Sequence, residues 1–224
     1  MTKKLDKKTL EQPDMLTSFF SKVRTFIETN RKKIYLGSGI FLLIFVLAAG
    51  FYLYRMNYEK NATRFYNNVL NRSVKSDSAA GEESAIKGFK DLIAKYPQSN
   101  AAVLGHYRLG NLYYKHKQND AAVSSYLEFI KHSSPESDLV TVAYNSLGAF
   151  EERKKNLKKA LEYYELAMKT KSASSFEALN YGNIARIHEA MNNNQKAAEF
   201  YKKALSKTTD PVMTLLIKRK LSVL

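Results

Sequence analysis

Four histidines, His106, His116, His132 and His188, are the only side chains in this sequence from which a metal site or an acid–base pair could be built. No H-E-x-x-H, phosphate-loop or G-x-S-x-G pattern sets a second ligand, a base or a nucleophile beside them. The acidic pair Glu151-Glu152 is adjacent in sequence, so on a helix its two carboxylates point different ways, which suits solvent better than paired-carboxylate catalysis. Cysteine is absent, which excludes disulfides, thiolate metal sites and a thiol nucleophile. No catalytic, cofactor-binding or metal residue is therefore assigned, and the chain is read as a non-enzyme.

The formal charge of +15 over 224 residues raises the question of nucleic acid. Its distribution argues otherwise. Residues 1–33 carry nine Lys or Arg against four acids, and residues 57–224 carry 26 against 17, mostly at helix-surface spacing. A solvated basic face accounts for that pattern, and no nucleic-acid motif accompanies it.

The elements that would position any functional group start with residues 34–54, a run without a charge whose length at 1.5 Å per residue matches a bilayer core. Tyr35 at one end and Tyr52 and Tyr54 at the other sit where interfacial aromatics belong, with Arg31, Lys32, Lys33 and Arg55 placed to snorkel. Val46-Leu47-Ala48-Ala49 would suit a signal-peptidase site, but the long segment before the run and its continuation through Tyr54 favour an uncleaved signal anchor. The basic flank predicts a cytoplasmic N-terminus, placing the rest of the chain outside; in a two-membrane bacterium that means a single pass through the inner membrane with a periplasmic domain. Within 1–33, Leu16, Phe19, Phe20, Val23, Phe26 and Ile27 recur at helical spacing after Pro13-Asp14. This predicts an amphipathic helix for the headgroup layer or for a membrane partner.

Residues 55–224 show no alternating strand pattern but do show a repeat. One copy reads His106, Leu109-Gly110, Tyr113, Ala122, Tyr126, Phe129 and Pro135. The next reads Tyr144, Leu147-Gly148, Ala160, Tyr164 and Ala167, 38 residues on, and a third reads Tyr181, Ile184-Ala185, Ala197, Tyr201 and Ala204. Upstream, Phe65, Tyr66, Leu70, Ala85, Phe89 and Leu92 fit a degenerate first unit with residues 76–83 as its loop. Small residues allow two helices to cross closely and large ones fill the gap. Residues 115–120, 154–156 and 192–195 fall where each copy needs a turn. A last helix from Pro211, with Met213, Leu216, Ile217, Leu221 and Leu224, is expected to cover the open apolar edge. His106 and His188 take positions normally filled by packing aromatics.

These copies resemble the tetratricopeptide-repeat superfamily over about residues 60–211. With the charge-free run before the copies and the last helix after them, this predicts an all-α chain: a single transmembrane helix, then an α-solenoid of about four repeats and a C-terminal capping helix. The wider layout, with a short basic segment, one span preceded by Asn30-Arg31-Lys32-Lys33 and a repeat domain beyond it, resembles the ancillary subunit of the bacterial Sec translocon. That similarity implies translocon subunits, periplasmic chaperones or exported clients as partners. Stacked repeats present their first helices along a groove, and repeat phase places Leu104, Tyr107, Asn111, Tyr114, Val142, Asn145 and Arg186 on it. Rings and amides there suit a peptide, although Tyr107 and Tyr114 could instead pack between helices. Asn111 and Asn145 echo the carboxylate clamp of some chaperone-binding repeats, but Tyr107 stands where that clamp needs a lysine. Two other functions fit the pattern: an envelope-assembly or cell-division scaffold with one fixed partner, and a tethered binder of anionic polymers or nucleic acid.

Overall fold

The structure, a computed structural model, describes residues 15–75, 78–171 and 173–224, and every regular element among them is helical. Contacts divide the chain into two units, with the boundary between Asn57 and Tyr58. In the first unit, helix α1 (Met15–Thr29) is followed after Asn30 by helix α2 (Arg31–Lys75). The apolar stripe of α1 forms as the spacing predicts, and Leu16, Phe19, Phe20, Val23, Phe26 and Ile27 are all exposed. None of residues 34–54 is buried, so α2 carries there a helix long and apolar enough to cross a membrane. A helix can do this because its backbone hydrogen bonds close internally. The part of the basic segment before Met15 lies outside the described residues.

The second unit starts in the later part of α2 and continues through α3 (Ala79–Lys95), α4 (Asn100–Lys115), α5 (Asn119–His132), α6 (Asp138–Arg153), α7 (Leu157–Met168), a 3-10 turn (Ala173–Phe176), α8 (Glu177–Ala190), α9 (Asn194–Lys207) and α10 (Pro211–Leu221). From α3 onward each helix packs on the next in sequence, as in a solenoid. Residues 79–83, expected in a loop, are instead the first turn of α3. The Ser78 side chain accepts from the Gly81 N–H and so caps a helix that starts earlier than the apolar pattern suggests. Ser99, Asn193 and Asp210 cap α4, α9 and α10 in the same manner, the last with Pro211 directly behind it.

Within three successive helix pairs the turn is the same device. Lys117, Lys155 and Asn192 hold φ of 58°, 62° and 59°. The next residue's N–H reaches back to the carbonyl five positions earlier, as Gln118 does to Tyr113, Asn156 to Glu151 and Asn193 to His188. These bonds satisfy the orphan carbonyls of the first helix and reverse the chain in a few residues.

Close crossing inside each pair follows from one small residue facing one ring. A Cβ on Gly110 would lie 2.7 Å from the Tyr126 ring, and one on Gly148 would lie 2.5 Å from the Tyr164 ring. In the third pair Ala185, fully buried, takes the glycine's place opposite buried Tyr201. The degenerate first unit reverses the arrangement: its small residue is Gly88 on α3, where a Cβ would meet Val69 of α2 at 2.8 Å. The core thus runs along the array as Phe89, Tyr126, Phe129, Phe150, Tyr164 and Ile187, each 2% exposed or less. At the far end Ile217 is buried, but Leu216, expected in the covering set, is 57% exposed. The cap seals the edge with fewer side chains than the pattern suggests.

Candidate protein-binding face

In the last three helix pairs the tyrosine ring facing the small residue carries a hydroxyl that must find a partner when buried. Tyr126 donates to Asn111 Oδ1 at 2.6 Å, Tyr164 to Glu152 Oε2 at 2.9 Å and Tyr201 to Glu189 Oε2 at 2.8 Å. Burial pushes the Tyr126 hydroxyl up to about 12 and those of Tyr164 and Tyr201 higher still. All three stay protonated donors at neutral pH.

Glu152 and Glu189 stand four positions after the small residue of their pairs, and each is met by a cation from two helices further on. Arg186 of α8 forks onto Glu152 with Nε to Oε1 at 2.7 Å and Nη2 to Oε2 at 2.9 Å. Lys220 of α10 reaches Glu189 at 2.6 Å. Burial, the largest single influence on both carboxyls, pushes their pKa up, but the cation and the tyrosine hydroxyl together outweigh it and hold both below the ordinary carboxylate value. The same bonds to Glu152 raise the Arg186 pKa. One repeat earlier the position of Glu152 is Tyr114. There the Arg153 guanidinium lies 4.8 Å over the ring, itself edge-on to Phe150 at 5.3 Å.

Beneath this row lies a chain of buried amides. Asn145 Nδ2 donates to Thr141 O at 3.1 Å and to Asn180 Oδ1 at 2.7 Å, while its Oδ1 accepts from Asn183 Nδ2 at 2.9 Å. Asn183 Oδ1 in turn accepts from Arg186 at 3.1 Å. Charge and amide networks therefore meet at Arg186, coupling α6 to α8 in one register.

A tetratricopeptide repeat-like domain model matches residues 24–224. The chain belongs to that family. Two crystal structures of MamA superpose with TM-scores of 0.54 and 0.57 at 19% and 18% identity, covering 67% and 72% of this chain and 81% of each MamA chain. A structure from a study of Pseudomonas aeruginosa pilF matches at TM-score 0.57 and 15% identity, over 75% of this chain and 70% of that one. At such identities the likeness is one of fold. No curated protein matches by sequence.

The residues placed on the groove by repeat phase are spread through this tetratricopeptide-like array in different states. Leu104, Tyr114 and Arg186 are exposed, Tyr107, Asn111 and Val142 are half-buried, and Asn145 is buried within the amide chain. The Tyr107 ring sits 5.2 Å from Phe129 and 6.0 Å from Tyr126, so it packs between the helices of its own pair. Arg186 is joined to Asn145 through Asn183. The direct bonds of Leu104, Tyr107, Asn111 and Val142 do not extend that network. Glu152, Asn180, Asn183, Glu189 and Lys220 were missed by the sequence reading. Aligning the pairs on Gly110, Gly148 and Ala185 exposes the two glutamates at one recurring offset, whereas nothing local signals the asparagines. His188 is buried and stacked on Phe200 at 5.5 Å, with burial lowering its pKa, as a packing histidine would be. Among the described residues no cluster of three or more His, Asp or Glu is placed to hold a metal.

Proposed function

We propose that this chain is a non-catalytic, membrane-tethered scaffold or chaperone adaptor that works beside the protein-export translocon, with its repeats on the periplasmic side of the inner membrane. Tetratricopeptide-like folds are in general surfaces for other proteins, and this one has a core and a polar row of its own to present. The observation that carries the tethering is the apolar stretch of α2 at residues 34–54, none of it buried, ahead of a repeat unit with an independent core. The basic flank before it supports the orientation. Leu104, Tyr107, Asn111, Tyr114, Val142, Asn145 and Arg186 mark the partner-facing side in this reading, with Asn145 acting from below through Asn183 and Arg186. Tethering would raise the effective concentration of the repeats at emerging clients.

Crosslinking in native membranes tests the partner: translocon subunits or periplasmic chaperones should co-purify, and a single unrelated envelope protein would point to a fixed-partner scaffold instead. Protease added to spheroplasts tests the orientation. The repeat unit should be digested there, and protection until lysis would reverse the topology.

A further inference from the structure

Val212 and Leu215 apart, the apolar side chains left exposed at the α10 end gather on one side. Together with α8 they line a cavity of about 470 Å³, within the range of ligand-binding clefts. Leu179, Gly182, Met213, Leu216 and Val223 supply its apolar surface, and Leu179, Leu216 and Val223 are 46%, 57% and 74% exposed. Gly182 helps to keep it open, since a Cβ there would already press on the Met213 methyl at 3.3 Å. An apolar hollow left open in this way marks a surface for a partner.

The charged side chains around it all have one sign. Arg186, Arg219 and Lys220 line the cavity, and none of its lining residues is acidic. Arg186 and Lys220 are tied to Glu152 and Glu189, but among the described residues the Arg219 guanidinium has no carboxylate partner. A hydrophobic hollow with unanswered positive charge at its rim favours an acidic amphipathic segment over a basic one.

We propose that the cleft between α8 and α10 docks an acidic amphipathic segment of a partner protein, whose apolar side chains fill the hollow and whose carboxylates meet Arg219. This rests on the protein-binding reading above and assigns it a place and a ligand chemistry. Because Arg186 lines the cleft and also ends the amide chain, the docked segment would continue the polar row of α6 and α8.

The experiment uses the full chain in lipid nanodiscs, with empty nanodiscs as blank, and two fluorescent helical peptides that share one leucine stripe and differ only in carrying Glu or Lys on the opposite face. The Glu peptide should bind and the Lys peptide should bind about tenfold more weakly or not at all. Arg219→Glu should weaken the Glu peptide about three- to tenfold, and Leu216→Asp by more. Both sites are exposed, so the helical signal and melting temperature should not change. Equal binding of the two peptides, or binding that ignores both variants, overturns the proposal. If the variants are silent while Tyr114→Ala weakens binding, the array still binds protein but at another place. If neither peptide binds, the cleft assignment falls while the crosslinking test of the wider reading stands. A concentration-dependent dimer of the full chain that Leu216→Asp dissolves would give the cleft to a second copy and also overturn the proposal.

Discussion

Replacing Gly148 by alanine adds one methyl group at the tightest crossing in the array. Alanine is favoured over glycine in a helix interior by about 1 kcal/mol, so on propensity alone the change would stabilise. Its Cβ, however, would lie 2.5, 2.7 and 2.9 Å from three atoms of the Tyr164 ring. That ring is fully buried and its hydroxyl is bonded to Glu152, so it cannot swing aside without breaking the bond and opening the core. Overpacking of this kind costs about 2 to 3 kcal/mol, leaving a net loss of about 1 to 2 kcal/mol. For a unit of this size each kcal/mol moves the melting temperature by about 2 to 4 °C, so a drop of about 2 to 8 °C is expected. Gly105→Ala is the control, because a Cβ there meets its nearest atoms at 3.5 Å, an ordinary contact. It should raise the melting temperature by the propensity gain. Circular dichroism melts of both variants of the full chain in detergent decide the matter. A Gly148→Ala protein as stable as Gly105→Ala would mean that the two helices do not approach as described.

Asn145→Ala removes a partner from both Asn180 and Asn183 in a buried setting and should cost about 1 to 3 kcal/mol in denaturant unfolding. Arg186→Ala leaves Glu152 without its fork and should destabilise the chain at neutral pH, with Arg186→Lys restoring only part because one ammonium cannot bond both oxygens. The acid limb of the stability profile follows from the sign of the shifts. Glu152 and Glu189 have folded pKa values below the unfolded reference of about 4.5, so their contribution is complete above that pH and is lost as pH falls below it. Stability of the wild type should therefore drop through this range, and more gently in Arg186→Ala, which pH-dependent urea titrations would reveal. Tyr114→Ala should weaken capture of the crosslinked partner by about 1 kcal/mol or more with little change in melting. Lost stability with intact capture would make the ring a packing residue only.

What the sequence determined by itself is local or periodic. A charge-free run of bilayer length is readable because helix rise and hydrocarbon thickness are fixed quantities, and α2 carries that run exposed. Leu-Gly and aromatic positions recurring in phase marked Gly110 and Gly148 as close helix crossings, and the rings they meet there are those of Tyr126 and Tyr164. Capping chemistry was also present in the letters, although Ser78 starting α3 was outweighed by the weak apolar pattern after it. Tertiary structure alone decided what crosses between repeats. The fork from Arg186 to Glu152 joins residues 34 apart. Asn145 is drawn into a buried network by Asn180 and Asn183, 35 and 38 residues away. The cleft beside Gly182 forms where α10 leaves Leu216 facing outward. Such contacts depend on the angle at which one helix pair stacks on the next. That angle is the sum of many side-chain volumes along the crossing, and no single residue or period encodes it.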